Sequence, residues 1–366
     1  MKILFCTTLD LQIHTFHWRM IKALHEQGHT VDAVTNGTDE TEGMNRKYTV
    51  PFHRNPIHPE NFRALRQLRK ILRENNYDVI SCHSPTAGFY GRLAARGMKI
   101  RVLYTAHGFH FWKGAPLLNR LVFKNMERLA AHWTDTLMTI NPEDYAAAKT
   151  FHYKKNGGPV YIPGVGVDVR GIQNDRGDRT ELRKELGIPE DAFVLYSIGE
   201  LIPRKNHRFV IETLAPLFRE DPSLHYCIAG SGKLTEELTE LIRSLGLEGQ
   251  IHLLGFRKDA RKLMYAMDLF VFPSFQEGLP VAVMEAMAAG LPVIASDIRG
   301  SHDLIRDGEN GFLYGVGDSG RLIMLITQLK ADEELRKKLS AQETEDAEAY
   351  SLEVIEPQIL ALYKQD

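Results

Sequence analysis

Short runs of hydrophobic residues alternate along this chain with stretches in which apolar positions recur every three or four residues. The first pattern predicts buried strands and the second helices with one apolar face. In the first half the strands are KILFCTTL, TVDAVTN, DVISCHS and RVLYTAHG, and the predicted helices between them cover 16–27, 61–76 and 87–96. TLMTIN and PVYIPG follow, and then GVGVDVRGIQNDRGDRT (164–180), whose Gly, Asp and Arg content predicts a connection between domains. A second series begins with FVLYSIGE and continues through a helix after Lys205, LHYCIAGSG, a helix over 234–244, IHLLGF, MDLFVFPS, a short apolar helix and LPVIAS. A charged helical stretch precedes a last helix over about 352–364. Apolar strands alternating with helices are the rhythm of a parallel α/β sheet, and two such series predict two domains.

At 366 residues with 43% hydrophobic content, the chain is long enough for each domain to have its own core. No stretch approaches the roughly 18 to 20 uninterrupted apolar residues of a membrane span, and MKILFCTTLDLQ turns polar too early for a signal peptide, so a cytoplasmic location is expected. Cys6, Cys82 and Cys227 fall in or beside predicted strands without a C-x-x-C pair, which reads as reduced core thiols. The small net charge hides an asymmetry. Residues 1–168 hold 22 Lys and Arg against 14 Asp and Glu, a net +8, whereas the remainder holds 23 against 33, a net −10. An anionic partner is therefore expected at the first half. Much of that charge lies on 61–76, where Phe62, Leu65, Leu68 and Leu72 form an apolar stripe among Arg63, Arg66, Arg69, Lys70 and Arg73. This is a packed helix with a solvated basic face, or else a membrane-surface helix. Aromatic residues are not interleaved with these charges as a base-stacking platform requires, so no nucleic acid is expected.

The densest chemistry lies in PSFQEGLPVAVMEAMAAGLPVIAS, where Glu277 and Glu285 stand eight positions apart across a loop-to-helix junction. A strand–loop–helix–strand unit of this kind presents a helix start, with its unpaired N–H groups near Leu279, at the carboxyl end of a parallel sheet, where a diphosphate can sit. Ionised carboxylates only accept hydrogen bonds, so the two Glu suit the hydroxyls of a sugar and a ribose better than phosphates. The bland alternative makes Glu277 an ordinary acidic residue at a helix start and Glu285 a solvated one. Against it, Met284, Ala286, Met287 and Ala288 surround Glu285, and an ionised group there needs a partner. In SIGELIPRKNHRF, Gly199 closes a strand and Lys205 opens the next helix, a place for a cation that neutralises a leaving diphosphate. In YTAHGFHFWKGAP, His107 directly follows a strand; taken alone, such a residue is more often structural than catalytic. Gly230 and Gly232 in IAGSGK make a turn, and by themselves signal little else. The chain has no Asp-x-Asp pair and no His/Cys cluster at ligand spacing, so no metal is expected.

The E-x7-E pattern of Glu277 and Glu285, with S-x-x-E-G-L-P and G-L-P-V-I-A-S around it, resembles the family-4 retaining glycosyltransferases, and the resemblance extends over nearly the whole chain. It implies the GT-B fold of two Rossmann-like domains facing each other across a cleft: an acceptor domain over 1–168, a donor domain over 169–350 and a C-terminal helix, 351–366, returning to the first domain. It implies that Glu277 contacts the donor sugar, that Glu285 holds the ribose, that Lys205 binds the diphosphate beside Gly199, and that His107 lies near the sugar. Gly230 and Arg257 would flank the nucleotide. Where the family carries an Arg on the diphosphate this chain has Glu200, and Arg204 is the candidate substitute. T-A-H-G-F-H-F resembles the branch that builds bacterial capsular polysaccharide and exopolysaccharide, which brings Asp10, His17 and His110 forward on the acceptor side. The implied reaction is retaining, metal-independent transfer of a hexose or N-acetylhexosamine from a UDP-sugar to a polyprenyl-diphosphate-linked saccharide at the inner face of the cell membrane. The nucleotide-sugar is a co-substrate and no cofactor is implied. Two rivals share the architecture: a GT-B sugar-nucleotide epimerase and a noncatalytic partner in polysaccharide assembly.

Overall fold

The structure, a computed structural model, describes residues 1–112 and 114–364. The chain forms two compact units, one of residues 1–165 with 355–366 and one of residues 166–354.

The first unit is built on seven parallel strands: β1 (Lys2–Cys6), β2 (Thr30–Thr35), β3 (Arg46–Thr49), β4 (Val79–His83), β5 (Arg101–Ala106), β6 (Thr136–Thr139) and β7 (Gly158–Tyr161), in the order β3-β2-β1-β4-β5-β6-β7. Because side chains alternate along a strand, Leu4 and Cys6 of β1 enter one core with Ile80, Cys82 and Val102, while Ile3 and Phe5 enter another with Val31, Val79 and Leu103. The first core is closed by Leu68 and Leu72 of the helix Glu60–Asn75 and by Ala87 and Ala94 of the helix Pro85–Ala95. The second is closed by Ile13, Ile21, Leu24 and, from the end of the chain, Tyr363. The terminal helix Leu352–Ala361 thus leads into a segment that is part of this first unit.

The second unit has six parallel strands, β8 (Phe193–Ile198), β9 (Leu224–Ala229), β10 (Ile251–Gly255), β11 (Leu269–Phe272), β12 (Val293–Ser296) and β13 (Phe312–Tyr314), in the order β10-β9-β8-β11-β12-β13. In both sheets the strand order reverses direction once, at β1/β4 and at β8/β11. Loops leaving the carboxyl ends of such a strand pair diverge to opposite faces and open a crevice, the usual ligand position in this class of fold.

Several local details depart from the sequence pattern. The region read as a helix over 16–27 begins earlier, with a turn at Asp10–Gln12 and a wider π-type turn at Ile13–His17 before the regular helix Trp18–Glu26. On the basic helix the buried positions are Asn61, Ala64, Leu68 and Leu72, whereas Phe62 is 58% exposed. Asn61 displaces it because its amide satisfies the preceding loop, accepting from His53 N at 2.9 Å and donating to Asn55 O at 2.8 Å. The edge strand β3 and the helices Leu117–Ala131 and Pro142–Ala148 are further elements that the pattern did not predict. The three cysteines are free and buried. Among the described residues no helix is long and apolar enough to cross a membrane.

Candidate active site

In the second unit the chemistry gathers at the switch point. β8 ends at Ile198, and the following turn carries Arg204 and Lys205 to Asn206, which adopts a left-handed conformation (φ 56°) before the helix His207–Glu220. β11 ends at Phe272, and the loop after it carries Glu277 to the helix Val281–Ala289. The two loops meet: Phe275 N donates to Arg204 O at 2.8 Å, Arg204 Nη1 donates to Gln276 O at 2.9 Å and to Glu277 Oε1 at 2.5 Å, and Lys205 Nζ lies 2.8 Å from the same Glu277 oxygen. Lys205 also sits 5.0 Å over the Phe272 ring. One carboxylate between two cations leaves a net positive charge, and Glu277 and Lys205 each keep 14% of their side chains accessible. A group that binds phosphate must be able to exchange its protein partner for the ligand, and a partly exposed shared ion pair allows that. Leu279 is buried beside the helix start, where Val283 and Met284 N–H make the first bonds to Pro280 O and the Val281 and Ala282 N–H groups precede them.

The neighbouring loop is locked to this one. Gly199 N donates to Ala229 O and Leu201 N to Ser231 O, each at 3.0 Å. A Cβ on Gly230 would fall 1.9 Å from Gly199 O, so only glycine permits the approach. Glu200 is exposed at this turn. Glu285, one turn along the Val281–Ala289 helix, has 17% of its side chain accessible and, among the described residues, an ion-pair partner in Arg261, whose Nε lies 3.5 Å away. Burial pushes its carboxyl up to about 7, against the opposing pull of Arg261. Arg257 is held by Asp259 through two bonds of 2.7 Å and by Glu185 through a third. Asp259 reaches the guanidinium because it lies only two residues on in the same loop.

In the first unit, His107 follows β5, and Gly108 (φ 128°) turns the chain in a way a side chain would resist. Burial brings His107 down to about 4. Its ring lies with those of His17 and His83, at centroid distances of 5.4 and 5.8 Å. The sequence shows no His/Cys group at ligand spacing, yet the fold collects three imidazoles; the contributing residues stand 66 and 24 positions apart and meet only when the sheet forms. Asp10 ties its turn to β2, β3 and the segment between them, with 11% of its side chain accessible: its carboxylate accepts from Lys47, from the Thr35 hydroxyl and, at 3.0 Å, from Asp39 N. Burial opposes its ionisation, but the Lys47 and Thr35 bonds hold the carboxyl below the usual range. His110 is exposed, 4.9 Å from the Phe123 ring, and with Leu11, Phe16 and Arg54 lines an apolar groove. Sequence reasoning missed Ser81 and Tyr363, whose hydroxyls are 2.6 Å apart and orient His83; no local pattern links residues so far apart in the chain.

Two doubly wound parallel sheets are the GT-B architecture of solved glycosyltransferases. Residues 13–169 match the model of Glycosyltransferase Family 4, and residues 178–346 that of Glycosyl transferases group 1. The chain is 38% identical over 354 residues, 96% of its length and 93% of the relative's, to EpsD of Bacillus subtilis, assigned as a glycosyltransferase. It is 31% identical over 304 residues, 81% of this chain and 78% of the other, to the Escherichia coli UDP-Gal:alpha-D-GlcNAc-diphosphoundecaprenol alpha-1,3-galactosyltransferase. Among solved structures, Anabaena HepE, crystallised with UDP-glucose, shares the fold over 99% of both chains with a TM-score of 0.79 at 21% identity. The chain belongs to the family-4 glycosyltransferases.

Proposed function

We propose that this chain transfers a hexose or N-acetylhexosamine, with retention of configuration, from a UDP-sugar to a polyprenyl-diphosphate-linked saccharide in the synthesis of a cell-surface glycan. The observation that carries the reading is the pair of cations, Lys205 and Arg204, poised on the single carboxylate of Glu277. The diphosphate takes over both cations, and their fixed charge stabilises it as it leaves. Glu277, relieved of its partners, accepts hydrogen bonds from the sugar hydroxyls, and Glu285 accepts those of the ribose. His107 keeps the sugar-side role that the family resemblance gives it. In the transfer the bond from the anomeric carbon to the phosphate oxygen breaks, its electron pair departs with UDP, and the acceptor hydroxyl bonds to the same face while its proton passes to the departing phosphate. Charge neutralisation by Lys205 and Arg204 makes the step independent of a divalent metal.

The E. coli relative's diphosphoundecaprenol acceptor and the UDP-glucose in HepE support the acceptor and donor classes. The net +8 of residues 1–168 suits an acceptor carried by an anionic lipid at the inner membrane face. The test is release of UDP from a panel of UDP-sugars in the presence of EDTA, with Lys205→Ala as control. Release confined to one sugar and lost in the control is expected; release that requires added Mg2+ or Mn2+ would overturn the metal-independent step.

A further inference from the structure

His17, His83 and His107 reach one place from three elements: the π-type turn Ile13–His17, the last residue of β4 and the residue after β5. One ring nitrogen from each lies within 4.8 Å of the other two. His83 Nδ1 and His107 Nε2 are buried with no hydrogen-bond partner, an arrangement that folded proteins seldom leave without a use. His83 Nε2 lies 3.0 Å from Ser81 Oγ, which in turn is 2.6 Å from the Tyr363 hydroxyl, and this leaves Nδ1 as the nitrogen without a partner. Such an outer partner is what a metal-ligating histidine needs to fix its ring. Two aromatic rings flank the cluster: Phe5 stacks on His83 at 5.5 Å and Phe16 lies 6.2 Å from His107.

We propose that His17, His83 and His107 form a binding site for a divalent first-row metal ion of the zinc type, with three imidazole ligands and a fourth position open to water. Three nitrogen donors without a carboxylate suit zinc and its neighbours and do not suit calcium or magnesium, which take oxygen. Tetrahedral coordination with bonds of about 2.0 to 2.1 Å brings the nitrogens about 3.3 Å apart, so separations of up to 4.8 Å close by at most about 1.5 Å. Rotation of the imidazoles and a small shift of the π-type turn that carries His17 supply that movement, and π-type turns are frequent at functional sites. Ser81 is a positioning residue for this site, not a ligand. The site shares His107 with the proposed transferase site, but cobalt and zinc binding are read on the chain without donor or acceptor, so failure of the one is distinguishable from failure of the other.

The full-length chain, stripped with EDTA and dialysed, is titrated with Co2+ and followed by visible absorption. One equivalent should produce the intense bands of four- or five-coordinate cobalt, and one equivalent of Zn2+ should bleach them. X-ray absorption of the zinc form should show nitrogen at about 2.0 Å and no sulfur near 2.3 Å. His17→Asn and His107→Asn should each abolish the cobalt bands, and Ser81→Ala should weaken binding by about 10- to 100-fold while retaining them. The absorption measurement on the unsubstituted chain serves if the variants fail to fold. Absence of cobalt bands, sulfur in the zinc coordination shell, or undiminished cobalt binding by both folded histidine variants would each overturn the site.

Discussion

Replacing Glu285 by Gln should make the protein more stable and bind nucleotide more weakly, two changes of opposite sign from one atom pair. The folded carboxyl holds its proton up to about pH 7, whereas the unfolded one releases it near 4.5. Between those values the folded state binds more protons than the unfolded state, so stability falls as pH rises through this window and is level above it. A displacement from 4.5 to about 7 corresponds to about 3 kcal/mol lost by pH 8. Glutamine is neutral throughout, so Glu285→Gln should equal the natural protein near pH 4.5 and exceed it by about 3 kcal/mol at pH 8. In the proposed role of Glu285 the ribose would lose a charged acceptor worth about 1.5 to 3 kcal/mol, so UDP affinity at pH 8 should fall by about 10- to 100-fold. Calorimetry serves for both readings: scanning for the unfolding transition of the second unit, and titration with UDP. All three tryptophans, Trp18, Trp112 and Trp133, lie in the first unit, so tryptophan fluorescence identifies that unit's transition and separates it from the second. A variant no more stable at pH 8 than the natural protein would refute the burial argument, and unchanged UDP affinity would remove Glu285 from the nucleotide site.

Lys205→Ala should weaken UDP binding by about 10- to 100-fold and Arg204→Ala by about tenfold, by titration calorimetry, since each removes a charge-assisted contact; equal affinity in Arg204→Ala would leave the position of Glu200 without a substitute. The first unit should lose stability as pH falls from about 6.5, because the unfolded state then takes up protons that the buried His17, His83 and His107 refuse; with all three neutral the slope approaches about 4 kcal/mol per pH unit, read by tryptophan fluorescence in urea. Arg92 is fully buried, 2.8 Å from Glu127 and 3.8 Å over the Tyr104 ring, so Glu127→Ala should strand a charge and cost about 3 to 5 kcal/mol in the same assay. Arg66, Arg69, Lys70 and Arg73 line one face of the helix Glu60–Asn75, and each charge removed should weaken sedimentation with anionic vesicles by about fivefold; binding unaffected by their combined neutralisation would exclude this face as the membrane contact.

What the sequence disclosed follows the range of the interactions concerned. Strands such as KILFC and LFVF are apolar at successive positions because both faces are covered, and that pattern is local. The helix Val281–Ala289 and its flanking turn were legible for the same reason, and with them the placement of Glu277 and Glu285. The helix Leu117–Ala131 was not, because Leu117, Leu118 and Leu121 are exposed and its apolar residues do not mark a buried face. Phe62 outranked Asn61 on hydrophobicity, but a loop amide network claimed the buried position. Long-range matters were invisible: that Asp10 is taken by Lys47, that Arg257 is shared by Glu185 and Asp259, and that three distant histidines converge. Lys205 and Glu277 lie far apart in sequence, and their contact follows from the adjacency of β8 and β11.

The most direct test of the central claim supplies the full-length chain with a UDP-sugar and a short polyprenyl-diphosphate-linked saccharide in EDTA, and follows the anomeric proton of the product by NMR. Transfer should give stoichiometric UDP and a new glycosidic linkage of the same anomeric configuration as the donor, both abolished by Glu277→Ala even where UDP still binds. An inverted linkage, or undiminished transfer by Glu277→Ala, would contradict it.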